Sequence, residues 1–325
     1  MPRIVYVLLS DGRIAGGQKM ILRHVETLRD LGFNAVCYLG AKSTPPTWLD
    51  YDAPLELATP LRGDDIVVVP DDARPGLTTC LESDLRTVVF SQNPYSFAAR
   101  TFDVLAQFPP ERFPPILAVG ARLGATARRA FPQAQVELVP CFADERVFAP
   151  AAAKRAVVAF APRKRVLEAA AIRGFFQRLH PRHGDLDWRE LSNVTEAEMA
   201  RTLSAAGLYL SLSRLESVGM TTLEAMASGC VCAGFTGVGG WEYATAENGV
   251  WVGEDDCEAA ADALAQAADL LRAGGAPLQR CVEAARATAA QWSYARFREA
   301  LEATWMRLAP ELRLRDGPLA PSEGR

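Results

Sequence analysis

Ile4 to Leu9 is an unbroken apolar run closed by Ser10-Asp11-Gly12. A run of that length with no polar alternation reads as a parallel strand covered on both faces. Past Gly16-Gly17, the residues Ile21, Val25, Leu28 and Leu31 recur at helical spacing, and Gly32 ends the pattern. Asn34–Leu39 is a second apolar run, so the chain opens with strand, Gly-rich loop, helix and strand, a βαβ unit. The same grammar gives strands at Asp65–Val69, Thr87–Phe90, Ile116–Val119 and Val136–Val139, with helices near Phe97–Gln107 and Ala121–Ala130.

Phe148-Ala-Pro150-Ala-Ala-Ala-Lys154-Arg155 interrupts the pattern with small residues and a proline, and is the linker candidate. A second series follows, with strands at Val157–Phe160, Leu208–Leu212, Cys230–Phe235 and Val250–Val252. Its helices fall near Val166–Leu179, Glu196–Ala205 and Thr221–Ser228. From Asp256 to Leu308 the chain is Ala-rich and helical, and Trp292, Tyr294, Phe297, Leu301 and Trp305 form an apolar stripe. Alternating strands and helices predict α/β architecture with doubly wound parallel sheets. The expected layout is residues 1–150, residues 151–290, a C-terminal helix at 291–312 that crosses back to the first domain, and a flexible tail at 313–325.

Composition narrows the field. A chain of 325 residues with 49% apolar residues suits two soluble domains of roughly 100–200 residues each. A net charge of −4 argues against nucleic-acid binding, which needs a basic face. The seven cysteines are scattered with no C-x-x-C pair, which indicates neither a disulfide framework nor a zinc site. No apolar window approaches the roughly 20 residues of a membrane span. The expected location is cytoplasmic. Arg122, Arg128 and Arg129 leave open a peripheral contact with anionic lipid at the inner membrane face.

The chemistry concentrates in one stretch, Ser213 to Gly229. There an apolar strand runs into a polar loop that turns at Gly219 into a helix. Ligands of open α/β sheets bind beyond the strand carboxyl ends, and helix N-termini offer unpaired N–H groups to a phosphate. Glu216 in the loop and Glu224 in the helix flank that point, and a carboxylate accepts two hydrogen bonds from paired sugar hydroxyls. Arg163 and Lys164, in Pro162-Arg163-Lys164-Arg165 after another strand, are cations suited to a diphosphate whose charge grows as a glycosidic bond breaks.

These residues, Glu216-Ser217-x-Gly219 through Leu223-Glu224-Ala225-Met226-Ala227-x-Gly229, resemble the E-x7-E segment of retaining glycosyltransferases of family 4. Gly237-Val-Gly239-Gly240-Trp-Glu242 resembles that family's donor-facing loop, and Glu247-Asn248-Gly249 its next turn. Val139-Pro140-x-Phe142-x-Asp144-x-x-x-Phe148-x-Pro150 resembles its interdomain crossing, and Gly16-Gly17 its N-terminal Gly-rich loop.

The resemblance implies the GT-B fold, two Rossmann-like domains facing a cleft, and transfer of a sugar from a nucleotide-diphosphate-sugar donor with retained configuration. It implies Glu216, Arg163 and Lys164 as catalytic. Donor binding falls to Glu224, Ser217, Val218, Gly219, Met220, Thr221, Gly16 and Gly17. The acceptor, a glycan, a lipid-linked glycan or a small molecule, is expected on the first domain, with Gln92, Asn93 and Tyr95 on its side of the site. Many family members carry a histidine in that region, and this chain has Gln92 and Asn93 instead, amides that cannot titrate. An inactive nucleotide- or glycan-binding subunit is therefore the alternative. No cofactor and no metal are expected. His180-Pro-Arg-His183-Gly-Asp185-Leu-Asp187 and Asp50-Tyr51-Asp52 contain D-x-D patterns that recur by chance in an acidic chain, and His24 falls on the apolar face of the first helix.

Overall fold

The computed structural model describes residues 2–314, and the chain forms two compact units. Among the described residues, one comprises 2–141 together with 297–314, and the other Phe142–Arg296.

The first unit contains β1 (Ile4–Val7), α1 (Gly16–Asp30), β2 (Ala35–Leu39), β3 (Leu55–Leu57), β4 (Ile66–Pro70), α2 (Arg74–Glu82), β5 (Arg86–Ser91), α3 (Pro94–Leu105), β6 (Ile116–Ala118), α4 (Ala121–Ala130) and β7 (Val136–Leu138). All neighbouring strands are parallel, in the order β3-β2-β1-β4-β5-β6-β7. The order reverses between β1 and β4, which opens a crevice at their carboxyl ends. Two elements escape a reading by periodicity. β3 is a short edge strand without a buried face, and α2 carries Pro75 in its first turn, where the missing N–H costs nothing.

The second unit contains β8 (Arg155–Phe160), α5 (Val166–Leu179), β9 (Asp187–Glu190), α6 (Glu196–Ala205), β10 (Ala206–Leu212), α7 (Met220–Ala227), β11 (Val231–Phe235), the one-turn α8 (Gly237–Gly240), β12 (Val250–Val252), α9 (Cys257–Ala273) and α10 (Gly275–Ala290). Its parallel order is β12-β11-β10-β8-β9, with the reversal between β8 and β10. The core joins Val158, Phe160, Leu208, Leu210, Val231 and Phe235 of the sheet to α5 and α9. The α9 face is built of Ala260, Ala261, Ala263, Ala267 and Ala268, small residues that let the helix lie close to the sheet.

The Phe148–Arg155 segment is not where the units divide. The crossing falls at Cys141–Phe142, because Phe142 packs on Tyr294 of the second unit (5.4 Å between ring centroids) and Ala143 N–H donates to the Trp292 carbonyl at 2.9 Å. The last helix, α11 (Tyr294–Leu308), returns the chain to the first unit at Phe297. There Phe297, Leu301 and Trp305 are fully buried, so this part of the stripe is core, whereas Trp292 and Tyr294 are half-buried in the second unit. Arg313 bridges Phe33 and Leu314 N–H donates to the Gly32 carbonyl, which ties down the start of the expected tail; residues 315–325 lie outside the described residues. No helix among the described residues is long and apolar enough to cross a membrane.

Candidate active site

β10 is buried along its whole length and delivers the chain to the loop Ser213–Gly219. Two left-handed residues shape that loop, Leu215 at φ 52° and Gly219 at φ 80°. Gly219 is the N-cap of α7, and its carbonyl accepts the Tyr243 hydroxyl at 3.3 Å. The far end of α7 closes on Gly229 at φ 76°, with Cys230 N–H bonded back to the Ala225 carbonyl, a Schellman arrangement. Ser211 Oγ donates to the Phe235 carbonyl at 2.7 Å and meets Thr222 Oγ1 at 3.0 Å, locking β10, β11 and α7 together.

At the strand reversal the two sequence-marked charges meet. Lys164 Nζ, beyond β8, pairs with Glu216 Oε1, beyond β10, at 3.0 Å, and also donates to the carbonyls of Arg214 and Leu215. Both side chains remain partly open to solvent. Arg163 is exposed, with a left-handed backbone at φ 36°. Glu224 lies in the second turn of α7 and is buried. Met220 and Thr221 begin that helix half-buried, whereas the Val218 side chain is buried, so only its backbone faces the loop. The Ser217 carbonyl supports α8: a Cβ on Gly239 would lie 2.1 Å from it, a gap only glycine allows.

Arg165, the third cation of its run, stands apart. Its guanidinium is 1% exposed and pairs with Glu254, Asp255 and Glu168. Asp255 is held below the usual carboxylate range by its hydrogen bond from Arg165. Sequence reading missed Glu254 and Asp255, which follow a strand only three residues long.

In the first unit, Gly16 and Gly17 are the opening residues of α1, whose N-cap Ala15 supplies no side-chain cap. Gln92 lies against Gly17: a Cβ there would fall 2.6 Å from Gln92 Oε1. Asn93 is the N-cap of α3, and its Oδ1 accepts from Tyr95 N–H at 2.9 Å, while the Tyr95 ring is exposed. A residue that sequence reading missed organises this loop. Asp71, at the end of β4, is 2% exposed, and its Oδ2 accepts from Gln92 N–H at 2.7 Å, Asn93 N–H at 2.8 Å and Ser91 Oγ at 3.3 Å. Burial pushes its carboxyl up to about 7 against those hydrogen bonds. An acid directly after an apolar strand was the available signal.

The histidines and the D-x-D segments noted in the sequence make contacts within the protein. His24 is fully buried, its Nδ1 3.0 Å from the Tyr6 hydroxyl and its ring among Phe90 and Phe297, and burial pulls its pKa down to about 3. Asp185 pairs with Arg272, Asp187 with Arg189, and His180 with Asp262. Asp187 opens the edge strand β9, whose charged DWRE sequence hides its pairing with β8. Asp52 N–H donates to Glu26 and the Asp50 carbonyl accepts from Arg23.

Residues 177–269, which include Glu216 and Glu224, match the family model described as glycosyl transferases group 1. An α-1,6-glucosyltransferase of Actinobacillus pleuropneumoniae is 26% identical over 276 residues, covering 82% of this chain and 83% of that protein. Among solved structures, sucrose-phosphate synthase of Thermosynechococcus elongatus superposes with a TM-score of 0.69 at 15% identity, covering 96% of this chain and 99% of the other. Anabaena HepE in complex with UDP-glucose gives a TM-score of 0.64 at 15% identity, covering 94% and 99%. The fold is GT-B. Together these likenesses support a GT-B glycosyltransferase.

Proposed function

We propose that the chain is a retaining glycosyltransferase of the family 4 type, which binds a nucleotide-diphosphate-sugar on its second unit and an acceptor on its first. The observation that carries this reading is the Lys164–Glu216 pair at the β8/β10 reversal, beside the N-terminus of α7. In this reading Glu224 takes the ribose hydroxyls, the loop Ser217–Thr221 takes the diphosphate on its backbone, and Glu216 orients the sugar. As the glycosidic bond breaks, negative charge grows on the leaving diphosphate. Arg163, Lys164 and the α7 amides stand where that charge develops, which lowers the barrier more than it favours the ground state. The diphosphate, once charged, accepts the proton of the acceptor hydroxyl, so the side chains need supply no strong base. Neither a metal nor a cofactor enters this scheme.

The curated relative transfers glucose and HepE binds UDP-glucose, so UDP-glucose is the first donor to try, with hexosyl or deoxyhexosyl transfer as the class. The acceptor side comprises Gln92, Asn93 and Tyr95 near Gly16-Gly17, and a glycan, a lipid-linked glycan or a small molecule is the class of partner. Arg122, Arg128 and Arg129 are the residues through which a peripheral membrane contact would run. Incubation with UDP-glucose and candidate acceptors tests the reading. An α-configured product from the α-configured donor supports it, and an inverted product overturns retention.

One observation favours a second reading. The loop after β5 carries the amides Gln92 and Asn93 where many family members have a histidine, and Asn93 Oδ1 is engaged in capping α3. A binding subunit without turnover would bind UDP but consume no UDP-glucose with any acceptor.

A further inference from the structure

The buried guanidinium of Arg165 reaches the carboxyl ends of four neighbouring strands. Arg165 itself follows β8, and its Nε donates to the Ser213 carbonyl beyond β10 at 3.3 Å. Its plane lies over the Phe235 ring at the end of β11, 4.4 Å from the ring centre. Its terminal nitrogens pair with Glu254 and Asp255, just beyond β12.

The contacts continue from there. Glu254 Oε1 accepts the backbone N–H of Gly237 at 2.8 Å, and Gly237 opens α8. Two residues on, Gly239 presses on the Ser217 carbonyl, next in sequence to Glu216. Guanidinium, carboxylate, amide and backbone thus form one continuous support under the loop that carries Glu216. Two non-glycine residues beside it hold left-handed backbones, Arg163 at φ 36° and Asp255 at φ 67°, a conformation that persists only where the surroundings over-determine it.

We propose that Arg165 is the positioning residue of this site: through Glu254 it holds the Gly237–Gly240 turn against Ser217, and so sets where Glu216 stands. Arg163 and Lys164 are then the cations that meet a diphosphate. A guanidinium 1% exposed cannot turn to a ligand without leaving Glu254 unpaired. Its planar fork also suits a tie among several strands, which the single-point ammonium of a lysine does not. The consequence for ligand binding rests on the donor-site reading above, whereas the positioning itself does not.

Hydrogen exchange of the free protein reads the positioning, and UDP binding reads its consequence. In Glu254→Ala, and in Arg165→Met where that variant folds, amides of residues 237–242 are expected to exchange about tenfold faster or more, while β10 keeps its protection. UDP binding is expected to weaken about tenfold in both, since the pocket must be re-ordered on binding. Glu254→Gln keeps one acceptor oxygen where Glu254 uses two, Oε2 for Arg165 and Oε1 for Gly237 N–H, so it is expected to restore protection at 237–242 only in part. Unchanged exchange at 237–242 in Glu254→Ala overturns the proposal. So does loss of UDP binding in Arg165→Met but not in Glu254→Ala, which would make the guanidinium a direct phosphate ligand. Faster exchange in a protein whose parent never binds UDP supports the positioning and removes the donor reading instead.

Discussion

Gly17 and Gln92 are in contact: the α-carbon of the first lies so near the amide of the second that a Cβ would stand 2.6 Å from Oε1. The contact joins the Gly-rich start of α1 to the loop after β5, two features far apart in sequence. Because the colliding atom is the far end of a flexible side chain, Gly17→Ala is expected to change Tm little while turning the Gln92 amide away. Acceptor KM should rise several-fold with donor KM unchanged. Equal changes in both constants would contradict an acceptor-side role for this pair.

Asp71 gives a pH signature. Its carboxyl rests near 7 in the folded protein against an ordinary value of 3.8, because burial outweighs the donors from Ser91, Gln92 and Asn93. A raised carboxyl pKa means the folded state holds a proton that the unfolded chain releases between those values. The contribution of Asp71 to stability therefore declines as pH rises from about 4 to about 7. Asp71→Asn keeps an acceptor oxygen but cannot ionise, so its Tm relative to the parent should climb across that window and level off above it. A Tm difference independent of pH would show that Asp71 is not buried as described.

Lys164→Met separates stability from catalysis. The Lys164–Glu216 pair is partly exposed, with side chains 38% and 27% accessible, so its loss should cost less than about 1 kcal/mol of stability. If Lys164 meets the leaving diphosphate, kcat should fall by about 10²-fold or more, the scale of removing one charge-stabilising donor. A fall in Tm with kcat preserved would reverse the assignment.

Gly239→Ala acts on backbone. The new Cβ would meet the Ser217 carbonyl at 2.1 Å, and a carbonyl cannot swing aside like a side-chain tip. Overpacking of this kind costs about 1–3 kcal/mol, and the displaced Ser217 should weaken donor binding alongside it. Calorimetric unfolding and a UDP titration on the same variant check both parts. Parent-like values in each would mean that α8 is free to move away from Ser217.

The sequence made most strands readable because parallel strands buried on two faces are continuous apolar runs, as in Ile66–Pro70 and Ala206–Leu212. It also singled out Lys164 and Glu216, each in a loop a few residues beyond such a run. What stayed hidden lacked a burial signature. β9 is an edge strand whose Asp187 and Glu190 face solvent, so it looked like a D-x-D pattern. Asp71 and Arg165 are buried charges, and a single sequence shows a charge without showing what surrounds it. Of three adjacent cations the sequence reading assigned roles to Arg163 and Lys164 and none to Arg165, and nothing in the sequence shows that Arg165 alone is sealed among carboxylates. The domain division was displaced for a related reason: Pro150 and its alanines resemble a linker, but Pro150 packs on Gly229.

In the function proposed above, the second unit binds a nucleotide sugar across Glu216, Glu224 and the start of α7. Its most direct test is the thermal unfolding of the parent and of Glu224→Ala with UDP and UDP-glucose. A ligand present at 100 times its Kd stabilises the native state by about 2.7 kcal/mol, which raises Tm by several degrees. That rise is expected in the parent, and its loss in Glu224→Ala. An equal rise in both proteins would move the nucleotide away from α7. No rise with UDP, UDP-glucose or any other nucleoside diphosphate would contradict the donor site itself.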